Sequence, residues 1–248
     1  MTLSVYIDES YNEKESSVLC VSGYVFRTLA ANEFARSWKP YLRNNSLKHF
    51  HMVDCAHRKE EFEGWKTDDC ARVETRLIFL TRTYSAYGFA VTVDTADYNE
   101  LLANQFNLKS AYSFALFIGL VMVRRWMEAK AFNGECSYFF EQGHPHQSDA
   151  NGFMNWIFES EEVRARYRYG QHSFLPKETP WLHPADMLAW HWCLETNRSF
   201  QANRRPVRAD LLALVRPQDM TIDYSSRNLS DLKDFLTARH ADIEAHKA

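Results

Sequence analysis

Four acidic residues stand at the end of an apolar segment or inside the apolar flank of one: Asp8, Glu9, Glu141 and Asp186. We call these four residues the acidic group. Two of them directly follow the β-branched and aromatic run at 5–7, and a third follows the aromatic run at 138–140. Carboxylates that lie close together raise one another's pKa unless a cation neutralises them. If the fold brings these segment ends together, the sequence therefore predicts a metal site.

The ligands of this predicted site are all carboxylate oxygens. Such hard ligands favour Mg²⁺ or Mn²⁺ over Zn²⁺. Two such ions about 4 Å apart can clamp the attacking and leaving oxygens of a phosphodiester. We therefore expect hydrolysis of phosphodiesters in nucleic acid, with Asp8, Glu141 and Asp186 as metal ligands and Glu9 in support. Two alternatives stay open: a non-catalytic module of the same fold that binds nucleic acid or protein, and a metal hydrolase of small molecules.

Histidines near these acids offer a route for protons. His51 lies with Asp54 in a polar stretch, and a histidine beside a two-metal site can pass a proton to the leaving oxygen. The same residues are equally compatible with a hydrogen-bonded surface loop. His183 precedes Asp186 by three residues, so both fall on one helix face and His183 either reaches the site or caps the helix.

Two stretches interleave arginine with aromatic or apolar residues, which suits phosphate contact and base stacking. Their arginines include Arg164, Arg166, Arg168, Arg204 and Arg205. A plain solvated surface is the alternative interpretation. The formal net charge of -3 argues against a broadly basic surface, so any contact with nucleic acid must come from a local patch.

The hydrophobic periodicity predicts the elements that position these residues. Expected strands cover residues 3–7, 17–26, 87–94 and 136–140, with a short edge strand at 169–177, and the first two pair as an antiparallel hairpin. Expected helices cover residues 29–42, 68–84, 110–130, 148–158 and 181–192, with Asp68 or Asp69 capping the second. Residues 48–55 are expected to form a loop or a short extended piece. Strands and helices in this order indicate a mixed α/β or α+β layer protein.

Composition predicts one large domain. The 248 residues are 46% hydrophobic, and no Gly, Pro or Ser-rich linker and no repeat divides them, so we expect a single domain over 1–248 with helical insertions and a C-terminal helical extension. The chain shows neither a signal-peptide pattern nor an apolar run of about 18 residues, which predicts a cytoplasmic protein. Its five widely spaced cysteines indicate neither a disulfide framework nor a structural zinc site.

Four motifs, taken in order, resemble the domain-of-unknown-function 3800 family: Tyr6-Ile7-Asp8-Glu9-Ser10, Phe139-Phe140-Glu141-Gln142-Gly143, Lys177 and Ala185-Asp186-Met187-Leu188-Ala189-Trp190. Members of that family open with a tyrosine-x-aspartate-glutamate-serine-glycine motif and close with an alanine-aspartate helix. Here Tyr11 stands where the family usually has glycine. The resemblance covers most of the chain.

The resemblance implies a ribonuclease H-like fold, a mixed sheet flanked by helices. It makes Asp8 the metal ligand of the first strand, Glu141 that of the fourth and Asp186 that of the last core helix, with Glu9 as a fourth acid. It also implies that Lys177 neutralises a phosphate or one of the acids. Because side chains alternate along a strand, Asp8 and Glu9 can share one ion only if the strand bends or ends between them.

Overall fold

The computed structural model describes residues 2–11, 17–102, 110–199, 206–225 and 228–233. A six-stranded mixed sheet flanked by helices runs through this part of the chain, in the order β5-β4-β1-β2-β3-β6. Its strands are β1 (Thr2–Tyr11), β2 (Val18–Arg27), β3 (Ser85–Asp94), β4 (Glu135–Glu141), β5 (Tyr169–Leu175) and β6 (Met220–Tyr224). The mixed α/β class and the five expected strands are confirmed, and β6 is an addition that the sequence analysis missed.

Strand directions place the ends of β1 and β4 side by side. The first three strands form an antiparallel meander, with Asp8 opposite Ser22 of β2. On its other edge β1 pairs with β4 in parallel, and the last pair of that ladder joins Ile7 to Phe140. Parallel neighbours end at the same edge of a sheet, so Asp8 and Glu141 meet there.

The α-helices are α1 (Thr28–Asn44), α2 (Met52–His57), α3 (Thr67–Tyr84), α4 (Thr95–Leu101), α5 (Ala111–Ala129), α6 (Gln147–Ile157), α7 (Glu161–Tyr167), α8 (His183–Ser199) and α9 (Ala209–Leu214), and residues 228–233 are also helical. The five expected helices are confirmed within a few residues, although α8 continues to Ser199. The expectation of a loop or extended piece at 48–55 is wrong in part, because α2 begins at Met52. Lys66 is the N-cap residue of α3, and Asp69 in the first turn accepts the backbone N–H of Lys66 as one half of a capping box, so Asp69 helps to cap the helix without being its N-cap residue.

The sheet has a hydrophobic core on each face. On one face Val5 and Ile7 of β1 pack in a cluster with residues of α5 such as Leu116 and Leu120. On the other face Tyr6 packs in a cluster with residues of α1, α3 and α8, among them Met187. Side chains alternate between the two faces along a β-strand, and Asp8 is two residues beyond Tyr6. Asp8 therefore lies on the same face as Tyr6, the face covered by α8.

None of the helices in the described ranges is long and apolar enough to cross a membrane. The five cysteines are all buried, free thiols.

Candidate active site

Three members of the acidic group meet on the α8 face of the sheet. Tyr6 stacks on Phe139 of β4 with ring centroids 5.2 Å apart, which shows that these two positions share a face. Two residues further along each strand, the same face carries Asp8 and Glu141. The aromatic pair therefore forms a floor beside these carboxylates.

Helix α8 brings Asp186 to the same place. The hydroxyl of Ser22, the residue opposite Asp8 in the β1–β2 ladder, donates a buried 2.7 Å hydrogen bond to the carbonyl of Ala185. Because Ala185 immediately precedes Asp186, this bond anchors the start of α8 over the strand that neighbours Asp8. Pro184 occupies the first turn of the helix, where its missing N–H leaves no intrahelical bond unmade.

The pKa of Asp8 reflects its burial and the carboxylates around it. Burial, followed by the negative charges of Glu9, Asp186 and Glu141, raises the pKa of Asp8 well above its usual value. The backbone N–H of Glu9 donates to Asp8 Oδ1 at 2.9 Å, which lowers the pKa but does not offset those effects. Asp8 is thus a buried acid among other acids, as the sequence predicts.

The other two carboxylates have shifts in the same direction. Burial raises the pKa of Asp186 to about 6, although His51 and the backbone N–H of Met52 lower it. Burial also raises the pKa of Glu141; His51 lowers it and Glu9 raises it. The three carboxyl groups therefore favour the protonated form more than free carboxyl groups do, as expected for a site short of positive charge.

Helix α2 closes one side of this site. The backbone N–H of Met52 donates to Asp186 Oδ2 at 2.6 Å. His51, the preceding residue, places Nε2 3.8 Å from Asp186 Oδ1 and Nδ1 2.8 Å from Asp54 Oδ2. Burial lowers the pKa of His51, but Asp186 and Asp54 outweigh it and the net shift is upward. His51 is therefore a half-exposed imidazole held between two carboxylates.

Glu9 lies on the opposite side of β1. The strand pairs with β2 without a break through Tyr11, so it neither bends nor ends between Asp8 and Glu9. Glu9 Oε1 lies 2.7 Å from Nδ1 of His144, which makes a close electrostatic contact without hydrogen-bond alignment. Tyr112 of α5 packs against that imidazole with ring centroids 5.9 Å apart. Glu9 thus influences Asp8 through its charge from the α5 face.

Lys177 and His183 occupy different environments. Lys177 lies two residues beyond β5, where its exposed cation lowers the pKa of Glu141.

His183 is buried, and its Nδ1 accepts a 2.8 Å hydrogen bond from the indole N–H of Trp38. Burial lowers the pKa of His183 to about 3, so the imidazole is neutral. It packs in the protein core and is neither a site residue nor a helix cap.

The arginine-rich stretch lies at the other end of the sheet. Arg164 and Arg166 belong to α7, and Arg168 precedes β5 at the end where β4 begins, because its carbonyl accepts the N–H of Cys136. The length of β4, about 20 Å at ~3.3 Å per residue, separates that end from Glu141. Each guanidinium already has a partner: the carbonyl of Phe158 at 2.6 Å, Glu162 at 2.9 Å and Asn133 at 3.0 Å. Arg204 and Arg205 lie outside the described residues.

A cavity of about 440 Å³ opens beside the carboxylates. The cavity surrounds the end of β1: its lining includes His51, Asp186 and Trp190 on the α8 side, and Glu9 and Tyr11 of the strand itself. Ser22, Met52, His144 and Trp190 also contribute to this site, and no sequence pattern predicted roles for them. Their signal was position: Ser22 pairs with Asp8 across the sheet, and the other three lie within four residues of Asp54, Glu141 or Asp186.

A second, more compact group lies elsewhere. One ligand atom from each of Glu74, His191 and Asp210 lies within 4.8 Å of the other two. In the described part of the chain, no three members of the acidic group meet that separation. The acidic group is therefore a more open arrangement than the one formed by Glu74, His191 and Asp210, which the sequence analysis missed.

No protein-family model matches the chain, and no curated protein is significantly similar to it.

Proposed function

We propose that this protein is a divalent-metal-dependent phosphodiester hydrolase with a ribonuclease H-like fold that acts on nucleic acid. The observation that carries the proposal is the burial of Asp8 among three other carboxylates. Desolvated acids of like charge destabilise one another, and a protein keeps such a group most readily where a cation compensates it. The adjacency of β1 and β4, with α8 across them, supports the fold assignment that the family resemblance implies.

The donor set fits a hard cation. Asp8, Glu141 and Asp186 offer carboxylate oxygens on one face of the sheet, without thiolate or imidazole among them, which suits Mg²⁺ or Mn²⁺. Glu9 assists through its negative charge from the α5 face. When bound, the cation supplies positive charge to the reacting phosphate group. Burial, together with neighbouring acids, raises the pKa of these three carboxyl groups, and a cation bound beside them would lower it.

His51 is the residue placed to move a proton. Its Nδ1 faces Asp54 at 2.8 Å, so a proton on Nδ1 leaves Nε2 directed toward Asp186 and the cavity. An imidazole oriented by a carboxylate can give a proton to a leaving oxygen or take one from an attacking water. Lys177, exposed near Glu141, offers a positive charge to an approaching phosphate group.

Cleavage of a substrate panel tests the proposal. Purified protein is incubated with single-stranded, double-stranded and hybrid oligonucleotides in Mg²⁺, Mn²⁺ or EDTA, beside Asp8→Asn and Asp186→Asn. We expect metal-dependent cleavage by the wild type and loss of cleavage in both variants. Metal-stimulated binding without cleavage by the wild type would instead identify a non-catalytic module.

A hydrolase of small phosphate esters is the second candidate. The cavity favours it, because about 440 Å³ beside Asp186 and Trp190 accommodates a small ligand. Cleavage of a small aryl phosphodiester with no cleavage of any oligonucleotide would select this candidate.

A further inference from the structure

Three helices meet at a buried imidazole on the side of α8 away from the acidic group. His191 comes from α8, Glu74 from α3 and Asp210 from α9. The His191 side chain is 0% exposed, and its Nε2 lies 2.7 Å from Glu74 Oε1. This bond fixes the orientation of the ring and leaves Nδ1 facing α9.

Nδ1 of His191 lacks a hydrogen-bond partner among the described residues. The nearest acid is Asp210, whose Oδ1 is 3.8 Å away, beyond hydrogen-bond length. A buried nitrogen without a partner is costly, so the arrangement needs an explanation. Metal–nitrogen and metal–oxygen bonds of about 2.1 Å each can bridge such a gap through one ion.

We propose that Glu74, His191 and Asp210 form a second metal site, selective for a divalent transition metal of the zinc type. His191 Nδ1 and Asp210 Oδ1 ligate the ion, and Glu74 accepts the Nε2–H of His191. A carboxylate that accepts a hydrogen bond from Nε2–H keeps the proton on Nε2, which leaves the lone pair of Nδ1 free. The same hydrogen bond makes the imidazole a better ligand. Imidazole nitrogen distinguishes this site from the acidic group, whose oxygen donors suit Mg²⁺ or Mn²⁺.

The charges around the site leave room for a cation. Arg208 donates to both carboxylate oxygens of Asp210 and compensates one acid. A metal-ligating imidazole carries no charge of its own, so an ion at Nδ1 would supply the positive charge next to Glu74. Asp210 Oδ1 already accepts the Nε–H of Arg208 and the N–H of Leu211, so an ion bound to this oxygen would replace one of these two hydrogen bonds.

A metal ion at this site would hold α8, the helix that carries Asp186, against α9. His191 is five residues beyond Asp186 on α8, and the ion would tie this helix to α9 while Glu74 ties it to α3. A structural metal adds to folding stability because it binds only the folded chain. The proposal is independent of the catalytic metal, since the two sites share no residue.

Zinc binding by the full-length chain tests the proposal. Metal-free protein carrying Asp8→Asn and Asp186→Asn is dialysed against Zn²⁺, and bound zinc and the melting temperature are measured. In this background we expect one equivalent of zinc and a higher melting temperature. Adding His191→Gln should abolish both effects, whereas adding Glu74→Gln, which can still accept the Nε2–H, should weaken binding about 10- to 100-fold.

His183→Gln is the matched control, because it removes another buried imidazole and should leave zinc binding unchanged. If His191→Gln does not fold, Asp210→Asn provides the same test and should also lose the zinc. Absence of bound zinc in the Asp8→Asn and Asp186→Asn background would overturn the proposal, as would zinc that survives Asp210→Asn. Neither result would bear on phosphodiester cleavage, so failure here is distinguishable from failure of the proposed function.

Discussion

The carboxylate of Asp186 accepts the backbone N–H of Met52 across an N···O distance of 2.6 Å. This hydrogen bond joins α8 to α2, and it holds His51 within 3.8 Å of the same carboxylate. One acidic side chain thus does two things: it fixes the position of a neighbouring element and contributes negative charge to the site. Substitutions at Asp186 therefore need to separate these two contributions.

Asp186→Asn should change how stability depends on pH. The pKa of Asp186 is raised to about 6, so the folded protein binds this proton more tightly than the unfolded chain does. Its contribution to the free energy of unfolding is therefore largest below pH ~4 and falls by on the order of 2–3 kcal/mol as pH rises through ~6. Asparagine keeps an acceptor for Met52 but does not titrate. Urea unfolding at several pH values should show a smaller loss of stability in the variant, and identical profiles would contradict the burial of this acid.

His51→Gln should lower cleavage about 100-fold or more if His51 transfers a proton. The pKa of His51 is higher in the folded protein than in the unfolded chain, where it is about 6.5. The contribution of His51 to the free energy of unfolding is therefore fully present below pH ~6.5 and is lost as pH rises through the higher pKa of the folded state. The difference in stability between wild type and variant should therefore shrink with rising pH. His172→Gln, which alters a histidine bonded to Tyr169 on β5, is the control and should keep full activity. Equal rates in the two variants would remove His51 from the mechanism.

Ser22→Ala should weaken metal binding through the position of α8. The variant leaves the buried carbonyl of Ala185 without its 2.7 Å hydrogen bond, at a cost of about 1–3 kcal/mol in stability. Ser85→Ala is a matched control, since Ser85 also donates a buried 2.7 Å hydrogen bond to a helix carbonyl, that of Thr81. Both variants should melt earlier, but only Ser22→Ala should raise the Mn²⁺ concentration needed for half-maximal cleavage. The same Mn²⁺ dependence in both would limit Ser22 to a structural role.

Alanine at Arg164, Arg166 and Arg168 should affect long and short substrates differently. If a long nucleic acid reaches this end of the sheet, each lost phosphate contact should lower the slope of log affinity against log salt by about one. Substrates of two or three nucleotides cannot span the ~20 Å length of β4, so their cleavage should be unchanged. Arg36→Ala, at a highly exposed arginine paired with Glu33, serves as the control. An unchanged slope would show that these arginines are solvated surface.

Much of the sheet could be predicted because its signals are local. The apolar runs that precede Asp8 in β1 and Glu141 in β4 are typical of strands. A parallel pairing of these two strands is enough to bring Asp8 and Glu141 together. Glu9 was expected as a fourth acid of the site, but β1 pairs with β2 without a break through Tyr11, so the alternation of side chains separates Glu9 from Asp8. The strand β6 lay beyond reach, since its five residues, Met220–Tyr224, give too short a periodic pattern.

The tertiary partners could not be predicted from local patterns. His183 shares a helix with Asp186, yet its imidazole points to Trp38, which is 145 residues away in sequence. Glu74 and His191 are 117 residues apart, and no spacing rule joins positions on separate helices. The contact of His144 with Glu9 likewise depends on how the segment after β4 turns back over the α5 face. Such contacts depend on how distant segments pack together, and a local sequence pattern contains no information about that packing.

Thermal melts of the wild type and Asp186→Asn, each in EDTA and in Mn²⁺, test the central claim most directly. Without metal, we expect Asp186→Asn to melt at a higher temperature than the wild type, because the substitution removes one charge from a mutually repelling group. In Mn²⁺ the order should reverse, because the wild type gains more stability from a cation that binds only the folded state and a neutral amide is a poorer ligand. A variant that melts lower than the wild type in EDTA and gains as much from Mn²⁺ would contradict a metal-binding carboxylate cluster at Asp8, Glu141 and Asp186.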